Sequence, residues 1–146
     1  MLPRNFQYFS PTYLLNQLLM AAKKKIELEF ILNAAPKLIY SMLTTPSGLS
    51  EWFADDVNIK DDTYTFLWDG MEERALAIQK SKDQSIRFVW EHEDDEAYYW
   101  EFLIKLDPLT QDVALIVTDH VEKGEEDSTR HLWETQIERL RRVVGG

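Results

Sequence analysis

The amino-acid sequence predicts an α+β fold: a curved antiparallel sheet of about seven strands around a long C-terminal helix, in the order β-α-α-β-β-β-β-β-β-α. Three observations predict it. An alternating segment near the start is followed by two proline-opened helix signals. A series of strand-like segments then runs on with only short turns between them. The chain closes on an amphipathic helix whose apolar stripe matches the face that such a sheet must cover. The length, 146 residues, suits one domain.

Lys25 to Leu32 alternates polar and apolar, with Ile26, Leu28 and Phe30 on one face, as in a half-buried strand. Pro36 suits the first turn of a helix reaching about Leu43, with Leu38, Ile39, Met42 and Leu43 inward. Thr45 and Pro46 repeat that signal, a capping hydroxyl before a proline, for a short helix ending near Trp52 and Phe53. Strands are then expected at Val57–Lys60, Thr63–Trp68, Glu73–Lys80, Ser85–Glu91, Ala97–Leu106 and Val113–Val121. Asp61 and Asp62, Asp69 and Gly70, Lys82 and Asp83, Asp94 and Asp95, and Pro108 to Gln111 mark the links. Links this short make neighbouring strands antiparallel. Asp127 to Val144 is the clearest helix, capped by Asp127 or Ser128 and stopped by Gly145, with a stripe of Trp133, Ile137, Leu140 and Val144. Acids at its start and arginines at its end match the helix dipole.

Residues 1–19 differ from the rest, carrying one charge, Arg4, and no acid. As a signal peptide the stretch is poor: Pro11 precedes the apolar run from Tyr13 to Leu19, Asn16 and Gln17 interrupt it, and the lysines follow it. A short helix capped by Thr12 and running to Ala22 is a second reading. The favoured reading is an extension ahead of a start at Met20, because regular patterning begins only there. The domain is accordingly placed at residues 20–146.

Lys and Arg number 16 against 26 Asp and Glu, a formal charge of −10. Phosphate backbones and anionic membrane surfaces would be repelled, so nucleic acid is not an expected partner. No apolar run approaches the length of a bilayer span. Cysteine is absent, which removes disulfides, thiolate metal sites and cysteine nucleophiles and allows a cytoplasmic location. There is no G-x-S-x-G elbow, no H-E-x-x-H, no Walker sequence and no G-x-G-x-x-G. No catalytic residue, metal or cofactor is therefore called for, and the chain reads as a non-enzyme. Asp119 and His120 are neighbours on a strand and point to opposite faces, so the carboxylate is badly placed to tune the imidazole. The run from Glu91 to Glu96 lacks the glycine and spacing of a calcium loop and reads as a solvated hairpin tip.

The order of elements resembles the helix-grip fold of the START-like (SRPBCC) superfamily. The local words resemble the branch related to the activator of the heat-shock chaperone ATPase. They are Ala35 and Pro36 opening a helix, Leu43 to Pro46, then Trp52 and Phe53. Phe66, Trp68 and Gly70 stand as F-x-W-x-G, and Phe88 with Trp90 as F-x-W. Trp133 stands where a tryptophan is common in the last helix, here preceded by Leu132 rather than glycine. The superfamily includes lipid carriers, hormone binders, polyketide cyclases and co-chaperone domains, and fold alone does not choose among them.

Aromatics crowd the strands, and alternation gathers them on one face. Trp52, Phe66, Trp68, Phe88, Trp90, Trp100 and Trp133 are the expected lining of a cavity between sheet and last helix, since indoles offer an apolar wall and a polar handle. The expected partner is an apolar or amphipathic small molecule. The alternative is a protein-interaction module, similar to the chaperone-activator branch, that uses the acidic surface to meet a protein partner. Deleting Met1 to Leu19 should leave a cooperative thermal transition with little loss of stability, measured by circular dichroism. Loss of the transition would make the segment part of the core.

Overall fold

The structure is a computed structural model, and it describes residues 10–12, 15 and 22–145. Most of the N-terminal extension, and most of the Tyr13-to-Ala22 stretch read as a short helix, lies outside the described residues. The elements run β1 (Lys24–Leu32), α1 (Pro36–Thr44), α2 (Pro46–Trp52), β2 (Asp56–Lys60), β3 (Thr63–Trp68), β4 (Met71–Ser81), β5 (Ser85–Trp90), β6 (Trp100–Leu106), β7 (Val113–Val121) and α3 (Glu126–Val144). This is the expected order.

The strands form one antiparallel sheet ordered β1-β7-β6-β5-β4-β3-β2. β2 to β7 is a meander, and β1 closes against β7 with Phe30 opposite Leu115. The tight turns put Asp61, Asp69 and Asp83 at positive φ, a conformation that Asp tolerates better than most residues. Between Ala77 and Gln79 the register of β4 on β5 shifts. Such a bulge bends a strand and increases its twist, which helps the sheet curve around the helices.

Alternation decides the layers. On β1 the residues Ile26, Phe30 and Leu32 are buried, on β3 Tyr64 and Phe66, on β7 Leu115 and Val117. From α3 the residues Trp133, Ile137 and Leu140 meet this face. Gly145, at φ 91°, stops α3 and donates to the Arg141 carbonyl at 3.0 Å. α1 buries Ile39 and Leu43, whereas Leu38, expected inward, is 43% exposed. Ile39 and Leu43, four residues apart, form the buried ridge, and Leu38 is turned about 100° from it. Neither Asp127 nor Ser128 caps α3. Glu125 holds the cap position without a side-chain bond, and Glu126 instead accepts from the Gly124 amide at 3.0 Å.

β6 begins at Trp100 rather than Ala97. The Asp95 carboxylate accepts from the Ala97 amide at 2.9 Å and the Asp95 carbonyl from the Tyr98 amide at 3.0 Å. Those turns take the backbone donors that a longer strand would have used. β6 pairs with β5 only as far as Phe88 opposite Trp100, while Val89 and Trp90 continue on β4 alone. The two strands part there, and the loop 91–99 spans the gap.

The α1–α2 corner is tight. Thr45 Oγ1 accepts from the Gly48 amide at 3.0 Å and donates to the Ser41 carbonyl at 2.7 Å, as its expected capping role requires. A Cβ on Gly48 would collide with the Ser41 carbonyl and lie 2.7 Å from Met42 Cα and 2.8 Å from Thr45 Oγ1. In an open helix Gly→Ala gains about 1 kcal/mol. Here Gly48→Ala should lose about 1–3 kcal/mol by overpacking. Urea denaturation reads the sign, and a stabilised variant would show that the corner yields.

Candidate functional site

At the end of the sheet where β5 and β6 part, a cleft of about 480 Å³ lies between the sheet and α3. Phe53, at the end of α2, and Trp68, Trp90 and Trp100, at the ends of their strands, form its apolar wall. Leu132, Trp133 and Gln136 close it from α3, and Glu73, His92 and Asp119 supply further polar groups.

Phe53 is the centre of the aromatic packing. Its ring stacks on Trp100 at 5.6 Å between centroids and on Trp133 at 6.1 Å, so it joins a sheet residue to a helix residue. Its carbonyl accepts from Trp68 Nε1 at 2.7 Å and, more weakly, from Gln136 Nε2 at 3.4 Å. Trp133 Nε1 donates to Asp119 Oδ2 at 3.0 Å. Trp100 lies against Phe88 at 4.2 Å and Trp90 at 4.9 Å. Trp100 Nε1 and Gln136 Oε1 are buried with no hydrogen-bond partner. Buried polar atoms without partners are uncommon, and both of these belong to residues that line the cleft.

Burial holds the Asp119 carboxyl above its ordinary range, against the opposing pull of the Trp133 N–H, the His120 amide and the charges of His120 and Lys23. The His120 ring turns away and meets the Tyr99 carbonyl through Nδ1 at 2.7 Å. Asp119 touches His120 only at the backbone amide, at 2.8 Å, in keeping with the opposite-face argument. Glu93, in the acidic loop, is pulled below its ordinary range by Lys23, whose ammonium donates to it at 2.6 Å. Asp95 and Glu93 also accept backbone amides of their own loop. Among the described residues no group of three or more acidic or imidazole side chains could hold a metal ion.

Of the residues expected to line a cavity, Trp68, Trp90, Trp100 and Trp133 meet at this cleft. Trp52, Phe66 and Phe88 do not line it. They lie in the core at 2%, 0% and 0% exposure. Phe66 and Phe88 sit one pleat back from the strand ends, and Trp52 is tied to α1 by Nε1 donating to the Met42 carbonyl at 2.8 Å. Phe53, Asp119 and Gln136 also line the cleft; sequence patterning names Phe53 only as the end of a helix and Asp119 only as a poor partner for His120, and does not single out Gln136. Asp119 shares the parity of Leu115 and Val117, and Gln136 lies three residues from Trp133, so spacing carried a signal for both. Phe53 follows the last turn of α2, where periodicity is silent.

An antiparallel sheet gripping a C-terminal helix, with an aromatic cleft at one end, defines a helix-grip domain. The chain belongs to the START-like superfamily, whose domain model matches residues 20–146. A solution structure of a protein from Bacteroides fragilis is 37% identical, with TM-score 0.63, covering 86% of this chain and 93% of that one. The solution structure of the Aha1 dimer from Colwellia psychrerythraea is 16% identical, with TM-score 0.71, covering 83% and 96%. A crystal structure of a Mesorhizobium loti protein is 14% identical, with TM-score 0.68, covering 82% and 95%. These last two likenesses are of fold. No curated protein matches the chain. The fold is that of a ligand-binding or interaction module, and none of the described helices is long and apolar enough to cross a membrane.

Because Asp119 is raised in the folded domain, its contribution to stability is full below the unfolded carboxylate value, about pH 4, and declines as pH rises through the folded value. Glu93 and Glu126, both lowered, act with the opposite sign. Asp119→Asn should therefore gain on the parent protein as pH rises from about 4 toward neutral. Melting temperatures of the two proteins across that range test it, and parallel curves would contradict it.

Proposed function

We propose that the domain binds an apolar or amphipathic small molecule in the cleft between the sheet and α3, and that it does so without catalysis. The observation that carries this reading is the set of indoles at the cleft, one of which, Trp100, keeps an unpaired donor. A wall of large apolar rings with few polar groups is the usual character of a small-molecule site. Asp119 has the shifted titration that a catalytic carboxyl would have. Its two oxygens, however, each accept a hydrogen bond from the domain itself, and its contact with the neighbouring histidine is through the backbone. That arrangement suits a structural acceptor. A cytoplasmic location is part of the proposal, in keeping with the absence of cysteine.

A neutral apolar dye such as Nile red should bind the native protein one to one and quench tryptophan emission. Trp68→Leu should weaken that binding about tenfold and cost about 1–2 kcal/mol, since it also removes the donor to the Phe53 carbonyl. Phe66→Ala, behind the wall, should instead cost about 3–5 kcal/mol. Binding should change little with salt for a neutral ligand. No binding of neutral dyes, sterols or flat aromatics would end the ligand reading. The acidic surface, with its charge of −10, would then favour the interaction module.

A further inference from the structure

The cleft is selective in what it offers a ligand. Acceptors predominate among its polar groups, the carboxylates of Glu73 and Asp119 and the Gln136 oxygen, beside one imidazole, His92, whose Nε2 lies 3.9 Å from Glu73. No lysine or arginine lines it. Two atoms at residues lining it have no partner: the Trp100 Nε1–H, on a side chain 1% exposed, and Gln136 Oε1. One is a donor and the other an acceptor. A single molecule with a carbonyl and an N–H can answer both.

Both atoms are sealed in the free domain, so a ligand must move something to reach them. Gln136 is the cheap element to move. It is half-buried, and its amide donates at 3.4 Å to the Phe53 carbonyl, which Trp68 Nε1 already serves at 2.7 Å. Releasing Gln136 therefore leaves no carbonyl without a partner.

We infer that the cleft selects an uncharged amide-type ligand, an apolar ring system bearing a carbonyl for the Trp100 N–H and an N–H for the Gln136 oxygen, and rejects the corresponding carboxylate. The inference rests on the cleft being the ligand site. A carboxylate could accept from Trp100, but it would leave Gln136 without a donor and would face Glu73 and Asp119 with no lysine or arginine to offset them, the His92 imidazole lying on Glu73 at 3.9 Å. Sites built around buried polar groups discriminate strongly against analogues that leave those groups unpaired.

The test uses the full chain and four matched probes: naphthamide, naphthyl methyl ketone, naphthoate and naphthylmethylamine. All share one apolar body. The ketone keeps the acceptor and lacks the donor, and naphthoate carries the charge. Calorimetric titration of the parent protein near neutral pH should give naphthamide about tenfold tighter binding than the ketone, the usual order for one buried hydrogen bond. Naphthoate should bind most weakly. Gln136→Met, which keeps length and loses the amide, should erase the preference for amide over ketone, bringing the ratio of the two affinities from about tenfold to about one. Equal binding of amide and ketone to the parent protein would overturn the inference and leave the cleft as an apolar site. So would a preference that survives in Gln136→Met, or naphthoate binding as tightly as the amide. Naphthylmethylamine, an ammonium on the same body, binding more tightly than the amide would show that Glu73 and Asp119 choose the ligand instead. If none of the probes binds, the inference falls together with the cleft reading.

Discussion

The rings of Phe53, Trp100 of the sheet and Trp133 of the last helix pack against one another in a triangle, with centroids 5.6, 6.1 and 6.3 Å apart, and much else depends on that contact. Trp133 meets Trp100 and Phe102 of the sheet directly, and Phe53 adds a further ring from a third element, the end of α2. Its carbonyl then holds Trp68 in place, so one residue fixes a ring on each side and the edge of the wall. The position of Phe53 is set in turn by the Thr45 and Gly48 corner, where α1 ends against the start of α2. The two short helices thus set where the Phe53 ring meets the other two, besides burying Ile39, Leu43 and Leu49 in the core. Seven residues are too few for α2 to be stable alone, so its geometry comes from these tertiary contacts.

The cleft exists because two strands stop pairing. β5 and β6 share a ladder up to Phe88 and Trp100 and then diverge under a loop whose turns are built from its own carboxylates. The loop is held down by Lys23 on Glu93, with Lys23 also near the Tyr98 ring, and by the His120 ring on the Tyr99 carbonyl. The acidic run is therefore partly structural. Its carboxylates accept the Asp95 and Ala97 amides, and backbone carbonyls accept those of Glu91, Glu93 and Tyr98, so much of the nine-residue excursion between strands is hydrogen-bonded. The rest of the negative charge stays on the surface, and the Asp119 carboxyl shows what bringing one inward entails: it is held by an indole N–H and is harder to ionise.

Much of the fold is legible from local chemistry. Alternation in β1 and β3, the proline starts of α1 and α2, and the spacing of Trp133, Ile137 and Leu140 all speak for themselves, because each reflects a period imposed by backbone geometry. The details that fail are those in which side chains compete with periodicity. Ala97 to Tyr99 alternates like a strand, yet Asp95 captures its amides. Leu38 looks inward by composition, and the ridge of Ile39 and Leu43 leaves it outside. The wall of the cleft is legible only to the level of a face. Strand parity groups Phe66 with Trp68 and Phe88 with Trp90, but it does not say which of each pair reaches the end of its strand pairing. Depth along the strand separates filled core from cleft, and that depends on where β5 and β6 part.

The indoles show why composition alone cannot distinguish core from site. Trp52, Trp68 and Trp133 each donate Nε1–H to a group of the domain: the Met42 carbonyl, the Phe53 carbonyl and the Asp119 carboxyl. Those bonds lock the ring planes, so the same residue type that makes the wall apolar also makes it rigid. Trp100 is as deeply buried as Trp52, and its faces are stacked between Phe88 and Trp90, yet its donor is unmet. Its orientation is thus set by stacking rather than by a hydrogen bond. Had packing been the only demand at that position, phenylalanine would have met it without leaving an N–H unpaired. An unmet donor held in place by its neighbours is a cost to the free domain, and a ligand carbonyl is the simplest group that would remove it.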